Sequence, residues 1–520
     1  MVRKKNALKL MMIFFFLSSF LSFNCGAFAK VKSIPVKRVA GNSVFTANID
    51  CASKKGKIND NVFGVFTNPD EVTKSFNLLS DARFRLIETL VPADDRLFSK
   101  SNSIGSLRFI KIAEDHIERA IELGIEPMLW FNNPPQPFKD LDGFRTYTQS
   151  MLKYLTKGKQ GGHNYKIRMF RFGNEPDNPM YWNGTKDEFF KAFAVWAKAV
   201  KNVDPNFIVV GPGLVFGNAV IADRASGRFS ISSSEASSWA KDFLNYCNKY
   251  NVPVDYFTVH GYSPVVYPLF NDQISTIKRN LEKYPNMSPL YGTPKVGNDE
   301  WNVMVGDQWS GRYNLEFDTT DLASNNILAL INMVKSGLEL SIRYGGTDFP
   351  GHDYSMVFNN YEPKPVYYAF KGFNMLQDTP YILKDSAAGK NLNAAVLAGI
   401  SGDNKKITVV AANFDVDFYM NTYVTKRKGD TAAIPKQMKN YDQALTDLSI
   451  SSPTTYGKLS LTLENFPWSS GEQISYKIYS VDDAHNLEVI ESNTISGSTT
   501  VKIERDITLP SVQVIVFEKK

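Results

Sequence analysis

Between residues 62 and 377 the chain alternates eight times between a short β-rich run and a helix-like segment, and few folds accommodate that order. The β-rich runs lie at 62–66, 83–88, 126–131, 168–173, 207–211, 255–260, 295–300 and 341–345. The helix-like segments lie near 69–79, 108–123, 143–157, 187–201, 235–250, 272–284, 318–337 and 363–377. Local signals sharpen the pattern. Thr185 with Glu188 predicts a capping box, Phe189, Phe193, Val195, Trp196 and Val200 follow at roughly helical spacing, and Asp204-Pro205 ends the run. Gly124 likewise closes the segment before the strand at 126–131. The fold class implied is α/β, a (β/α)8 barrel.

Past about residue 380 the pattern changes to short alternating strands at 407–412, 457–463, 474–479, 499–503 and 512–517, the pattern of a β-sandwich. A further strand at 43–49 precedes the barrel, and we expect it to join the C-terminal sandwich. The division expected is a leader at 1–29, an N-terminal segment at 30–58 contributing to the sandwich, a barrel at 59–380 and the sandwich at 381–520.

The leader is read from Arg3, Lys4, Lys5 and Lys9, an apolar run from Leu8 to Phe23, and Ala27-Phe28-Ala29 as the cleavage site, placing the mature N-terminus at Lys30. A secreted or periplasmic protein is expected, with no stable membrane insertion after cleavage. A lipoprotein anchor through Cys25 fits less well, because Ser22 and Asn24 stand where such signals carry Leu and a small residue. Without the leader's four bases, 55 Lys and Arg face 53 Asp and Glu. That balance gives no reason to expect nucleic acid as a partner. Cys51 and Cys247 lack any zinc spacing, and the five His are scattered without a metal motif, so no metal is expected.

Barrel chemistry sits at the C-terminal strand ends. The fourth run ends Phe170-Arg171-Phe172-Gly173-Asn174-Glu175-Pro176 and the seventh Asn298-Asp299-Glu300-Trp301-Asn302. Two carboxylates facing each other across one mouth are the equipment of a glycosidase, one to protonate the leaving oxygen and one to attack carbon or activate water. Trp130, Asn132, Asn133, Trp182, Trp301 and Trp309 cluster around these strand ends, and aromatic faces and amides suit a sugar.

The stretch Asn174-Glu175-Pro176, with Tyr181-Trp182-Asn183-Gly184-Thr185, Val203-Asp204-Pro205 and Val210-Gly211-Pro212, resembles the retaining glycoside hydrolases of clan A. The likeness extends to the run from Asp255 to Tyr262, to Glu300-Trp301-Asn302 and to the run from Lys364 to Phe370, and is greatest to family 39. The resemblance implies a carbohydrate substrate, Glu175 as acid/base, Glu300 as nucleophile, Asn174 bonded to the sugar 2-hydroxyl, and Tyr262 holding the nucleophile. It further places His260 and Arg85 in the subsite of the sugar being cleaved. No organic cofactor is implied. Endo action in an open groove, and a non-catalytic carbohydrate-binding protein on the same scaffold, are the alternatives.

The roles require Glu175 to stay protonated and Glu300 ionised, the latter beside a cation such as Arg85. Retention asks for carboxyl groups about 5 to 5.5 Å apart. Gly173 and Asp299 depart from the family, which often has Trp and Thr there. Asp299 either turns outward by strand alternation or raises the proton affinity of Glu300, and Arg343 and Arg312 are candidates to neutralise it or to recognise an acidic sugar. Asp94 and Asp95 form an acidic pair after the second strand.

Overall fold

In the computed structural model the described residues are 41–67, 72–91, 107–133, 140–215, 221–223, 228–230, 239–262, 269–303, 318–347, 354–387, 392–424 and 449–520, with 438, 441–442 and 445–446. The leader with Cys25, and Asp94, Asp95, Trp309 and Arg312, lie outside them. Among the described residues no helix is long and apolar enough to cross a membrane.

The chain enters with β1 (Ser43–Lys57) and then builds a closed barrel of eight parallel strands. In order around the barrel these are β2 (Gly64–Phe66), β3 (Leu86–Val91), β4 (Glu126–Phe131), β5 (Met169–Phe172), β6 (Ile208–Val215), β9 (Tyr256–Tyr262), β10 (Lys295–Asn302) and β11 (Leu340–Arg343), which pairs back to β2. A small hairpin, β7 (Ile221–Asp223) with β8 (Arg228–Ser230), lies between β6 and β9. The helices are α1 (Val72–Asp81), α2 (Leu107–Glu122), α3 (Leu141–Lys157), α4 (Lys186–Val203), α5 (Trp239–Lys249), α6 (Leu269–Leu281), α7 (Thr320–Lys335) and α8 (Pro365–Phe373). The capping box is present on α4: Thr185 Oγ1 accepts from Glu188 N, and the Glu188 carboxylate accepts from Thr185 N. It satisfies two of the otherwise orphaned donors at that end.

One element is displaced from expectation. The second strand begins at Leu86, three residues later than the 83–88 run, because the chain is still turning through Arg83, whose φ is 60°. Arg85 therefore precedes the strand at the N-terminal end of the barrel, where its Nε donates to Gln377 Oε1. Glu88, expected at the strand's end, instead lies within it.

After α8 come β12 (Tyr381–Ala387), β13 (Ala394–Ile400), β14 (Lys406–Asn413), β15 (Tyr456–Glu464), β16 (Gln473–Val481), β17 (Asn486–Ser496), β18 (Thr500–Asp506) and β19 (Ser511–Lys519). They form one nine-stranded sheet, in the order β17-β16-β19-β14-β13-β12-β1-β15-β18, that curls around its own core. The N-terminal strand is part of it: β1 pairs antiparallel with β12 and parallel with β15.

The sheet buttresses the barrel through α7, almost every residue of which is buried between the two. Leu397, Val410 and Val514 on β13, β14 and β19 join the barrel's outer core, while Val396, Val409 and Ile515 face the interior of the curled sheet. Burial on both faces explains why these strands are continuously apolar instead of alternating. Each such Leu or Ile contributes roughly 1.5–3 kcal/mol.

Candidate active site

Strand alternation decides which side chains enter the barrel. On β5, Phe170 and Phe172 point out into the helix layer, so Arg171 points in and is fully buried. Its guanidinium lies over the Trp130 ring, 4.4 Å from the centroid. Nη1 reaches both Glu88 oxygens at 2.8 and 2.9 Å, Nε lies 2.7 Å from Asp299 Oδ2, and Nη2 is 2.6 Å from His260 Nε2 and 4.0 Å from Glu300 Oε2. This hub was not foreseen. The available signal was a lone charge between two phenylalanines in an otherwise apolar strand.

On β10 alternation alone would admit only one of Asp299 and Glu300. The pairing with β9 slips by one residue between Asn298 and Glu300, and the pairing with β11 slips at the same place. Asp299 is thus the extra residue of a bulge. Asn298 still faces α7, with its side-chain amide near Met333 Sδ, and Trp301 still faces α8, packed on Phe370, so both acids between them turn inward. Asp299 therefore does not turn outward. Its Oδ2 accepts from Thr258 Oγ1 at 2.8 Å.

Glu175 is set by backbone geometry. Gly173 has φ of +104° and lies so close to Pro212 that an added Cβ would sit 2.5 Å from the Pro212 carbonyl oxygen, which excludes the larger residue often found there. Gly173→Ala is expected to destabilise the fold by about 1–3 kcal/mol, seen as a lower Tm in scanning calorimetry. Glu175 itself is left-handed, at φ +41°, and its N–H donates to the Gly213 carbonyl at 2.8 Å. Strain at a non-glycine residue of this kind concentrates at functional sites.

These devices bring the two carboxylates together. Glu175, His260 and Glu300 each place one polar atom within 4.8 Å of the others. His260 Nδ1 is 3.1 Å from Glu175 Oε1 and 3.7 Å from Glu300 Oε2, Tyr262 donates to Glu300 Oε1 at 2.6 Å, and Asn178 Nδ2 donates to Glu175 Oε2 at 2.9 Å.

The charges act on one another. Burial raises the pKa of Glu175, but the His260 hydrogen bond and charge, Asn178 and Arg171 outweigh it, so its carboxyl is held below the usual range in the free site. The requirement that Glu175 stay protonated is therefore not met by the free site alone. Burial pushes Glu88 up to about 8, with Arg171 pulling the other way. Because loss of the acid's proton in free enzyme sets the alkaline limb of kcat/KM, His260→Asn is expected to move that limb to higher pH. A pH–rate profile of the variant checks this.

The remaining expected site residues divide. Asn174 is at the mouth: its backbone N–H and carbonyl are bonded to the Asn133 amide, and its own Oδ1 is a buried acceptor without a partner among the described residues. Trp130 lies inside the barrel below the mouth, its Nε1 donating to the Gly173 carbonyl. Asn132 shapes the loop after β4, its Oδ1 accepting from Asn133 N.

Trp182 is core, buried edge-on against Phe189 with its Nε1 on the Thr185 carbonyl, and does not present a stacking face. Trp301 is also core, for the outward register given above. Arg85 is excluded from the mouth by its position before β3. Arg343 does not neutralise Asp299: it is buried with Nε on Asn326 Oδ1 and Nη1 on the Tyr354 carbonyl. Tyr181, 40% exposed and with its carbonyl accepting from Asn133 Nδ2, lies at the rim and was missed as a site residue; its phenol is pushed up to about 12 by burial and by the charges of Glu175 and Glu300.

Residues 120–267, the stretch holding Glu175, His260 and Tyr262, match the model of the family described as glycosyl hydrolases family 39. A β-xylosidase of Geobacillus stearothermophilus is 25% identical over 170 residues, 32% of this chain and 30% of that protein's length. An alpha-1,4-L-rhamnosidase of Formosa agariphila is 25% identical over 146 residues, 28% of this chain and 25% of that protein's. The chain thus spans less than a third of the length of either relative. Among solved structures, a glucosidase from Croceicoccus marinus superposes with a TM-score of 0.67 at 17% identity, covering 92% of this chain and all of that one. From the closed barrel, the paired glutamates and the matched stretch, this chain resembles the glycoside hydrolases of clan A, and within that clan family 39.

Proposed function

We propose that the protein is an exported retaining glycoside hydrolase acting on an oligosaccharide or polysaccharide, with Glu300 as nucleophile and Glu175 as acid/base. The observation that carries the reading is the approach of the two carboxylates to within 4.8 Å across the barrel mouth. With one oxygen of each so near the other, the pair supports the closer spacing of a retaining enzyme, about 5–5.5 Å between carboxyl groups, over the roughly 6.5–9.5 Å of an inverting one.

In the first step a Glu300 oxygen bonds to the anomeric carbon as the glycosidic bond breaks, and Glu175 gives its proton to the leaving oxygen. In the second, water loses a proton to Glu175 and attacks the same carbon, releasing Glu300 as a carboxylate. Tyr262 holds the Glu300 oxygen it is bonded to, leaving the other to attack. Asn174, with its unpartnered acceptor, is suited to a sugar hydroxyl. The two curated relatives are named for different sugars, so aryl β-xylosides and aryl α-L-rhamnosides lead the test panel, with xylan and other polysaccharides to separate exo from endo action. Turnover with net retention at the anomeric carbon, read by proton NMR, supports the reading; inversion overturns it. Glycan binding without turnover would favour the carbohydrate-binding alternative.

Export is part of the proposal. Expression with residues 1–29 in place should yield a protein beginning at Lys30, measured by intact mass. A product that keeps the leader overturns this part.

A further inference from the structure

We propose that Arg171 is a positioning residue for both glutamates: it sets the tautomer of His260 so that the Nδ1 hydrogen faces Glu175, while its own charge faces Glu300. The proposal rests on reading Glu175 and Glu300 as a glycosidase pair.

The argument begins with what a guanidinium can do. It has five N–H donors and no acceptor, so Nη2 at 2.6 Å from His260 Nε2 can only donate. Nε2 must then offer its lone pair, and the ring hydrogen belongs on Nδ1, 3.1 Å from Glu175 Oε1. The other neutral tautomer would turn Nε2–H toward Arg171 and set the bare Nδ1 against the Glu175 carboxylate, acceptor facing acceptor. That arrangement is relieved only if Glu175 carries a proton. The two tautomers therefore correspond to two charge states of the acid/base.

The groups facing the ring pull in opposite directions. Burial and Arg171 disfavour an imidazolium. Glu300, Glu175 and Asp299, whose Oδ1 is 3.6 Å from Nε2, favour one and outweigh them, pushing the ring's pKa up to about 9. An imidazolium cannot accept from Nη2, so the contact itself opposes that protonation, and it persists because the guanidinium is held from every side. Glu88 takes Nη1 with both oxygens, Asp299 pairs its charge with the guanidinium, Oδ2 lying 2.7 Å from Nε, and Trp130 covers a face. Gly213 supplies the clearance: a Cβ there would sit 3.0 Å from His260 Nε2 and 3.2 Å from Arg171 Nη2. Neither Glu88 nor Arg171 is at the surface of the cleft, so they act through His260 and Glu300.

The test is long-range proton–nitrogen NMR of the histidine rings in the 15N-labelled full chain, with His260 assigned by its loss in His260→Asn. The wild type at a pH above the ring's pKa, where the imidazole is neutral, should show a protonated Nδ1 and a bare Nε2. At the same pH Arg171→Met should show both nitrogens protonated, because the ring loses a charge that opposes the imidazolium, and the alkaline limb of kcat/KM should move to higher pH, because Glu175 loses a charge that holds its carboxyl down. A role confined to folding would reduce kcat/KM without moving the limb. A neutral wild-type ring with its hydrogen on Nε2, or an unchanged ring in Arg171→Met at that pH, overturns the proposal, and the wild-type spectrum decides alone if the variant does not fold. The spectrum needs no substrate. A chain that turns over no glycoside yet shows the Nδ1–H ring would sink the hydrolase reading and leave the tautomer standing.

Discussion

Glu300→Ala should lower kcat/KM by roughly 10⁴-fold or more, equivalent to about 5 kcal/mol or more of transition-state stabilisation. The size follows from removing the atom that forms the covalent bond, not from a lost contact. The shortened side chain leaves a gap beneath the anomeric carbon. Azide, small and nucleophilic, should enter it, restore turnover of an activated aryl glycoside, and leave a glycosyl azide of inverted configuration. Tyr262 and Arg171 stay in place to line the gap, so the folded state should be little changed, which a calorimetric Tm verifies. If the variant keeps wild-type activity, another group is the nucleophile and the assignment fails.

Glu175→Ala should divide substrates by leaving group. General acid assistance is worth about 10²–10⁴-fold, and only a poor leaving group needs it. Natural disaccharides should lose close to that full range, while a dinitrophenyl glycoside, whose phenolate departs unaided, should lose little in its first step and accumulate the glycosyl-enzyme. Mass spectrometry of the intact protein would show that adduct on Glu300. Equal losses on both substrates would show that Glu175 contributes something other than a proton. His260 enters here as well: with Glu175 held below its usual range in the free site, acid catalysis depends on how substrate changes the contacts around Oε1.

Much of this was legible in the order of residues. The eightfold alternation predicts the barrel because strand and helix periodicities are local and each unit repeats them, and the capping box at Thr185 and Glu188 is a matter of spacing. The two glutamates stand out because they lie at or just past the C-terminal ends of strands in a fold whose chemistry lies there. The early strands of the sheet were harder. The 394–400 run, Ala394–Ile400, is buried on both faces and so lacks the alternation by which a strand is recognised.

What the chain order determined was therefore the barrel, the appended β domain and the identity of the two carboxylates, since those depend on local pattern. The tertiary structure decided how the carboxylates are held. A one-residue bulge at Asp299 turns two neighbouring acids inward where alternation allows one, and a strand that starts at Leu86 instead of Arg83 sends Arg85 to the wrong end of the barrel and Glu88 into it. The cation beside the nucleophile is then Arg171, from a strand adjacent to neither β3's glutamate nor β10's acids in sequence. Register and long-range charge pairing are set by packing across the barrel, and no local pattern encodes them.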